Sequence, residues 1–101
     1  MDIKIEGRQV EIGNELRERI QKRMNNLDKR FGPLTHARMT VEKNPHHKQN
    51  PAMAKAVVNL AGKSITATKE AENIMAAVNE TLDTLAHEVQ EHAEKKKTGR
   101  R

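Results

Sequence analysis

Five histidines are the side chains in this sequence best suited to hold a metal or move a proton, and their spacing works against both. His46 and His47 are neighbours in KNPHHKQNP, a loop on its two Pro and two Asn, while His87 and His92 stand about 140° apart round a helix, so neither pair converges as ligands at i and i+4 would. Ser64 is the only serine and sits in a strand-type alternation, with no strained turn to present it as a nucleophile. The glycines form no phosphate loop. With no cysteine, a thiolate metal site, a cysteine nucleophile and a disulfide framework are all excluded. Acidic pairs such as Glu70 and Glu72 are read as favouring a helix N-terminus. The expectation is a protein without catalytic activity, metal or cofactor.

What remains is charge. The segment RERIQKRMNNLDKR, residues 17–30, threads Ile20, Met24 and Leu27 between its cations. On a helix advancing about 100° per residue from Leu16, the apolar Leu16, Ile20, Met24, Leu27 and Phe31 fall within about 0° to 80°, and Arg19, Lys22, Arg23, Lys29 and Arg30 within about 220° to 340°. A surface designed only for solubility mixes signs at i and i+4 to gain a few tenths of a kcal/mol per pair. This stripe forgoes that gain. It is either a solvated face or a surface for phosphates, and the rest of the charge favours the second. Residues 1–69 hold fourteen basic and seven acidic side chains, residues 70–94 none and seven, and residues 95–101 five and none. A basic body, an acidic segment and a basic tail attract a polyanion to some surfaces and repel it from another. There is no Trp or Tyr, and the single Phe31 falls on the apolar stripe. Base stacking on aromatic rings is therefore not the expected mode, and contact should be to phosphates and shape.

The elements that position these residues follow from hydrophobic period. DIKIE alternates, placing Ile3 and Ile5 on one face of a strand. A helix then runs from Gly13 or Asn14, either of which can cap it, to about Phe31, where Gly32-Pro33 stops it. HARMTVE alternates again, with Ala37, Met39 and Val41 on one face. AKAVVNL and SITAT are strands joined by a tight turn at Ala61-Gly62, with Ala56, Val58, Leu60, Ile65 and Ala67 facing in. From about Glu70, Ile74, Met75, Val78, Leu82, Leu85 and Val89 recur at helical spacing.

The order β-α-β-β-β-α predicts an α+β fold, a four-stranded mixed sheet with two helices packed on one face. A right-handed first crossover makes strands one and two parallel, and the other strands meander. The second sheet face is left wet, presenting Lys4, Arg38, Lys55 and Lys63. One domain, 1–94, is expected, followed by a basic flexible tail, 95–101. The N-terminus has no continuous hydrophobic stretch, and no run approaches the roughly 20 apolar residues of a membrane span, so the reading is a soluble cytoplasmic monomer. The residues expected to contact RNA are Arg19, Lys22, Arg23, Lys29, Arg30, Arg38 and Lys55, with Lys95, Lys96 and Lys97 of the tail.

Two segments carry a family likeness: VEIGNELRERIQKRMNNLDKRF, and ENIMAAVNETLDTLAHEV at the expected separation. Both resemble the helices of the ribosome hibernation promoting factor and ribosome-associated inhibitor family, also linked by older naming to sigma factor modulation. The likeness covers nearly the whole chain and is similar to the short form. The resemblance implies binding to the small ribosomal subunit, in the channel used by messenger and transfer RNA, and silencing of the ribosome in stationary or stressed cells. It also implies action with a second factor on ribosome pairing, to promote or oppose it. By motif match Arg23, Lys29 and Arg17 correspond to family cations. Departures from the pattern are Gly13 for a capping Thr, Asn26 for Lys and Met75 for Tyr. Thr84, His87, Glu91 and Ala93 stand where relatives often carry Lys or Arg. The second helix has thus lost its basic face and shows Glu80, Asp83, Glu88, Glu91 and Glu94. An alternative function follows: an interaction module whose acidic helix docks a basic partner, such as a sigma factor.

Overall fold

The computed structural model describes residues 2–44 and 48–98, with side chains up to Glu94 in the last helix. The chain runs β1 (Ile3–Arg8), α1 (Asn14–Phe31), β2 (Leu34–Lys43), β3 (Ala52–Leu60), β4 (Lys63–Ala71) and α2 (Ile74–Thr98). The strands lie in the order β1-β2-β3-β4 in a single sheet; β1 and β2 are parallel, and β2, β3 and β4 are antiparallel in sequence. Both helices cover one face, α1 over β2 and α2 over β3 and β4. The expected α+β architecture is the one found.

Small residues set how close α2 sits. The inward positions of β3 begin Ala52, Ala54, Ala56, and β4 adds Ala67 and Ala71, all buried. With so little side chain between, Thr81 of α2, which has no exposed surface, reaches the sheet backbone and donates its hydroxyl to the Ala54 carbonyl at 3.1 Å. A satisfied buried hydroxyl of this kind contributes about 1 kcal/mol. Around it Ile20, Met24, Met39, Val41, Val58, Val78, Leu82, Leu85 and Val89 complete the core. No helix among the described residues is long and apolar enough to cross a membrane.

Local chemistry explains most boundaries. Gly13 is the N-cap of α1 and supplies only its carbonyl, to the Arg17 N–H at 3.0 Å. At the other end the Gly32 N–H donates to the Asp28 carbonyl at 2.8 Å, and the Asp28 carboxylate accepts from the Leu34 N–H at 2.8 Å, turning the chain into β2. Ala61 and Gly62 have φ of 53° and 83°, the two left-handed residues of a primed hairpin turn, and Asn59 Oδ1 accepts from the Gly62 N–H at 3.1 Å.

Three expectations are corrected. Glu70 does not open α2 but pairs with Met53 in the sheet; β4 continues to Ala71, and Asn73 caps the helix by accepting from the Ala76 N–H at 2.8 Å with its side chain. No acidic residue lies in the first turn of α2, so Glu70 and Glu72 do not serve its dipole there. Lys63 pairs with Leu60, which is buried, so it belongs to the helix side of the sheet rather than to the wet face. Lys69, paired with Ala54, is likewise inward in register, and both are exposed at the free edge. Inward-pointing lysines are a known defence of an edge strand against pairing with another chain. The helical backbone of α2 runs on to Thr98.

Candidate nucleic-acid interface

The stripe on α1 forms, but its cations are not equivalent. Lys22 and Lys29 are exposed on the outer side of the helix, and among the described residues neither has an ion-pair partner. Arg19 and Arg23 turn toward α2 instead. The Arg23 guanidinium meets the Asp83 carboxylate at 2.7 Å, and Arg19 reaches Asn79 Oδ1 at 3.5 Å. The two interactions advance in step along both helices, so α1 and α2 run in the same direction. Side chains 34% and 70% exposed place the Arg23–Asp83 pair near the surface, where such a pair contributes about 0.2–1 kcal/mol. Its larger effect is on charge, since it neutralises one member of the stripe. Arg30 is exposed and lays its guanidinium 5.1 Å from the centre of the half-buried Phe31 ring, which fixes its direction without cancelling its charge.

Arg38 and Lys55 are exposed too, but on the open face of the sheet, opposite the helices. Arg38 pairs in register with Lys4, and Lys55 with Thr40 and Thr68. The residues expected to bind RNA therefore occupy two faces of the domain and cannot form one continuous surface. Lys95, Lys96 and Lys97 lie on the last turns of α2, and their side chains, with residues 99–101, fall outside the described part.

Sequence reasoning missed Asp83 and Asn79 as partners of the stripe. A signal exists: Arg23, at about 340° on the wheel, is the member of the stripe nearest the buried sector, so it must lean on whatever packs beside α1. Which helix lies there is tertiary information. The remaining acids of α2, Glu80, Glu88, Glu91 and Glu94, are exposed as expected. His87 Nε2 stands 3.3 Å from the Glu91 carboxylate, and Glu94 accepts a hydrogen bond from Gln90 at 3.1 Å, both one turn apart. The helical layer thus sets a basic helix beside an acidic one.

Among the described residues no three His, Asp or Glu side chains are placed to hold a metal ion, and no buried side-chain polar atom lacks a partner. His46 and His47 lie outside the described residues. What the fold and this surface define is a class: small α+β domains with two helices on one face of a mixed sheet and a segregated basic stripe along the first.

The chain belongs to the sigma 54 modulation protein / S30EA ribosomal protein family, whose family model matches residues 3–97. It is similar to a ribosome hibernation promoting factor of Azotobacter vinelandii, 29% identical over 97 residues, covering 94% of this chain and 85% of the relative. Among solved structures it resembles the N-terminal domain of Thermus thermophilus Protein Y, with a TM-score of 0.75 and 26% identity, over 91% of this chain and 99% of that one. It also shares its fold with a ribosomal subunit interface protein from Coxiella burnetii, at a TM-score of 0.78 and 21% identity, over 94% and 100% of the two chains.

Proposed function

We propose that this chain is a ribosome-associated translation inhibitor and hibernation factor that binds the small ribosomal subunit in the messenger and transfer RNA channel when cells are stressed or stationary. The observation that carries the reading is the unneutralised part of the α1 stripe, Lys22, Lys29 and Arg30, exposed in a chain that matches this family almost end to end. Cations held on one side of a rigid helix suit a phosphate backbone, because the helix fixes their spacing and leaves only side-chain rotamers to order. Arg19 stands at the edge of the same surface, and residues 95–97 extend the positive charge at the far end of α2. The protein acts by occupancy, and no catalytic step is assigned to it.

Co-sedimentation with isolated small subunits over a salt series tests this. Each phosphate contact contributes about 0.7 to 0.9 to the slope of log affinity against log salt, so the three cations alone give a slope of about −2 to −3. A second reading, a docking surface for a basic protein, is favoured by the exposed Glu80, Glu88, Glu91 and Glu94 on α2. Binding to small subunits that is absent at all salt concentrations, or flat across them, would replace the first reading with the second.

A further inference from the structure

A groove of about 580 Å³ opens where the start of β1 meets an irregularity in β2, and Lys4, Arg38 and Val57 of the open sheet face form part of its wall. The irregularity is a β-bulge. Thr35 pairs with Asn59 and Arg38 with Val57, so His36 and Ala37 together oppose Val58. The extra residue corrects a phase error in the sequence, since Leu34 is even-numbered while Ala37, Met39 and Val41 are odd, and all four are buried. It is taken up at His36, whose φ of 52° lies in the left-handed region that residues with a Cβ seldom adopt. Burying Leu34 accounts for the bulge, but not for the charge beside it.

Lys4 and Arg38 are direct register partners on adjacent parallel strands and lie on the same exposed face. Like charges directly opposite one another in a sheet are destabilising. Among the described residues neither forms an ion pair; Glu6, the next acid along β1, is engaged with Arg8 at 3.8 Å, and Asp2 is the one carboxylate lining the groove. Two unneutralised cations side by side provide a fork for one anionic group. Next to them stand an exposed imidazole, His36, and the half-buried Val57, a flat ring and an apolar wall. Histidine can stack on a base where Trp, Tyr and Phe are absent. The volume is that of an ordinary small-ligand site.

We propose that this groove binds a single nucleotide, its phosphate between Lys4 and Arg38 and its base against His36 and Val57. The nucleotide is either one unpaired residue of an RNA strand or a free mononucleotide. The RNA source rests on the ribosome-binding reading above, whereas the groove itself does not. It also gives the protein a second nucleotide-binding surface, on the face opposite α1.

The test is amide-resolved NMR titration of the full chain with AMP, with inorganic phosphate and with a single-stranded hexa-adenylate. AMP or the hexamer should shift the amides of Lys4, His36 and Arg38 saturably. Lys4→Gln and Arg38→Gln, both at exposed positions, should each weaken that binding by about tenfold. His36→Ala should weaken AMP by about fivefold or more and leave inorganic phosphate unchanged. Groove shifts with the hexamer but not AMP support the site with RNA as its source, and the converse supports it with a free nucleotide. No saturable groove shift with any of the three, or shifts indifferent to both Gln substitutions, overturns the proposal. The α1 amides report separately: a silent groove with hexamer-dependent shifts at Lys22 and Lys29 ends the groove proposal and leaves the ribosome reading standing.

Discussion

If the proposed function holds, replacing Lys22, Lys29 and Arg30 together by Gln should lower the affinity for small ribosomal subunits by about a hundredfold at physiological salt, because removing each cation from its phosphate costs about fivefold. The same triple change reduces the salt slope by about 2 to 3. The fold is untouched, since all three side chains are exposed and point away from the line of Leu16, Ile20, Met24 and Leu27. Arg23→Gln alone is the informative contrast. Its guanidinium is held by Asp83, so its loss costs a surface ion pair and little of the free cationic stripe. An equilibrium binding assay at fixed salt, run beside circular dichroism of each variant, reads both effects.

Ile20→Ala has the largest expected effect on stability. Ile20 has no exposed surface and sits where α1 meets the rest of the core. Truncating a fully buried Ile costs about 2–5 kcal/mol, from lost transfer energy and the cavity left behind. For a domain whose total stability is about 5–15 kcal/mol, that is a large fraction, and it lowers Tm by more than about 10 °C. Gln21→Ala, one residue on and exposed, should leave Tm nearly unchanged. Calorimetry of the pair separates damage to the core from any general sensitivity of α1 to substitution.

The parts of this fold readable in the sequence are those where one local signal dominates. Alternation in β1, the middle of β2, and β3 and β4 identifies the inward residues, and the Ala61-Gly62 turn is legible because Gly62 takes positive φ freely in a two-residue hairpin turn, here of type I′. The topology follows from elements that must share one buried side. Errors arise where two signals compete. Around Glu70 the helical period of α2 can be extended backwards at the expense of the alternation Ile65, Ala67, Ala71, and the Asn73 cap decides between them. The bulge at His36 and Ala37 hides as a change of phase after Leu34. Lys63 reads as a wet-face cation by its charge, although counting by twos from Ile65 puts it inward.

The candidate site is legible only in part. Wheel angles give the stripe on α1, yet they cannot show that Asp83 of α2 closes on Arg23, nor that Arg38 and Lys55 lie across the sheet from it. Those depend on helix order and direction, which exist only once the sheet has formed. The groove at Lys4 and Arg38 depends on register between two strands far apart in sequence, and no local pattern encodes that.

The outer side of α1 is the surface we propose for ribosomal RNA, and that proposal can be tested at a single residue. Asn26 is exposed and stands three or four residues from Lys22, Arg23, Lys29 and Arg30, in the middle of the stripe. A photocrosslinking side chain placed there, in complexes with small subunits, should attach to ribosomal RNA, while one at Glu80 or Glu91 on the acidic helix should give little or none. Crosslinks from Asn26 to protein alone, or RNA crosslinks confined to the Glu80 and Glu91 positions, would contradict it.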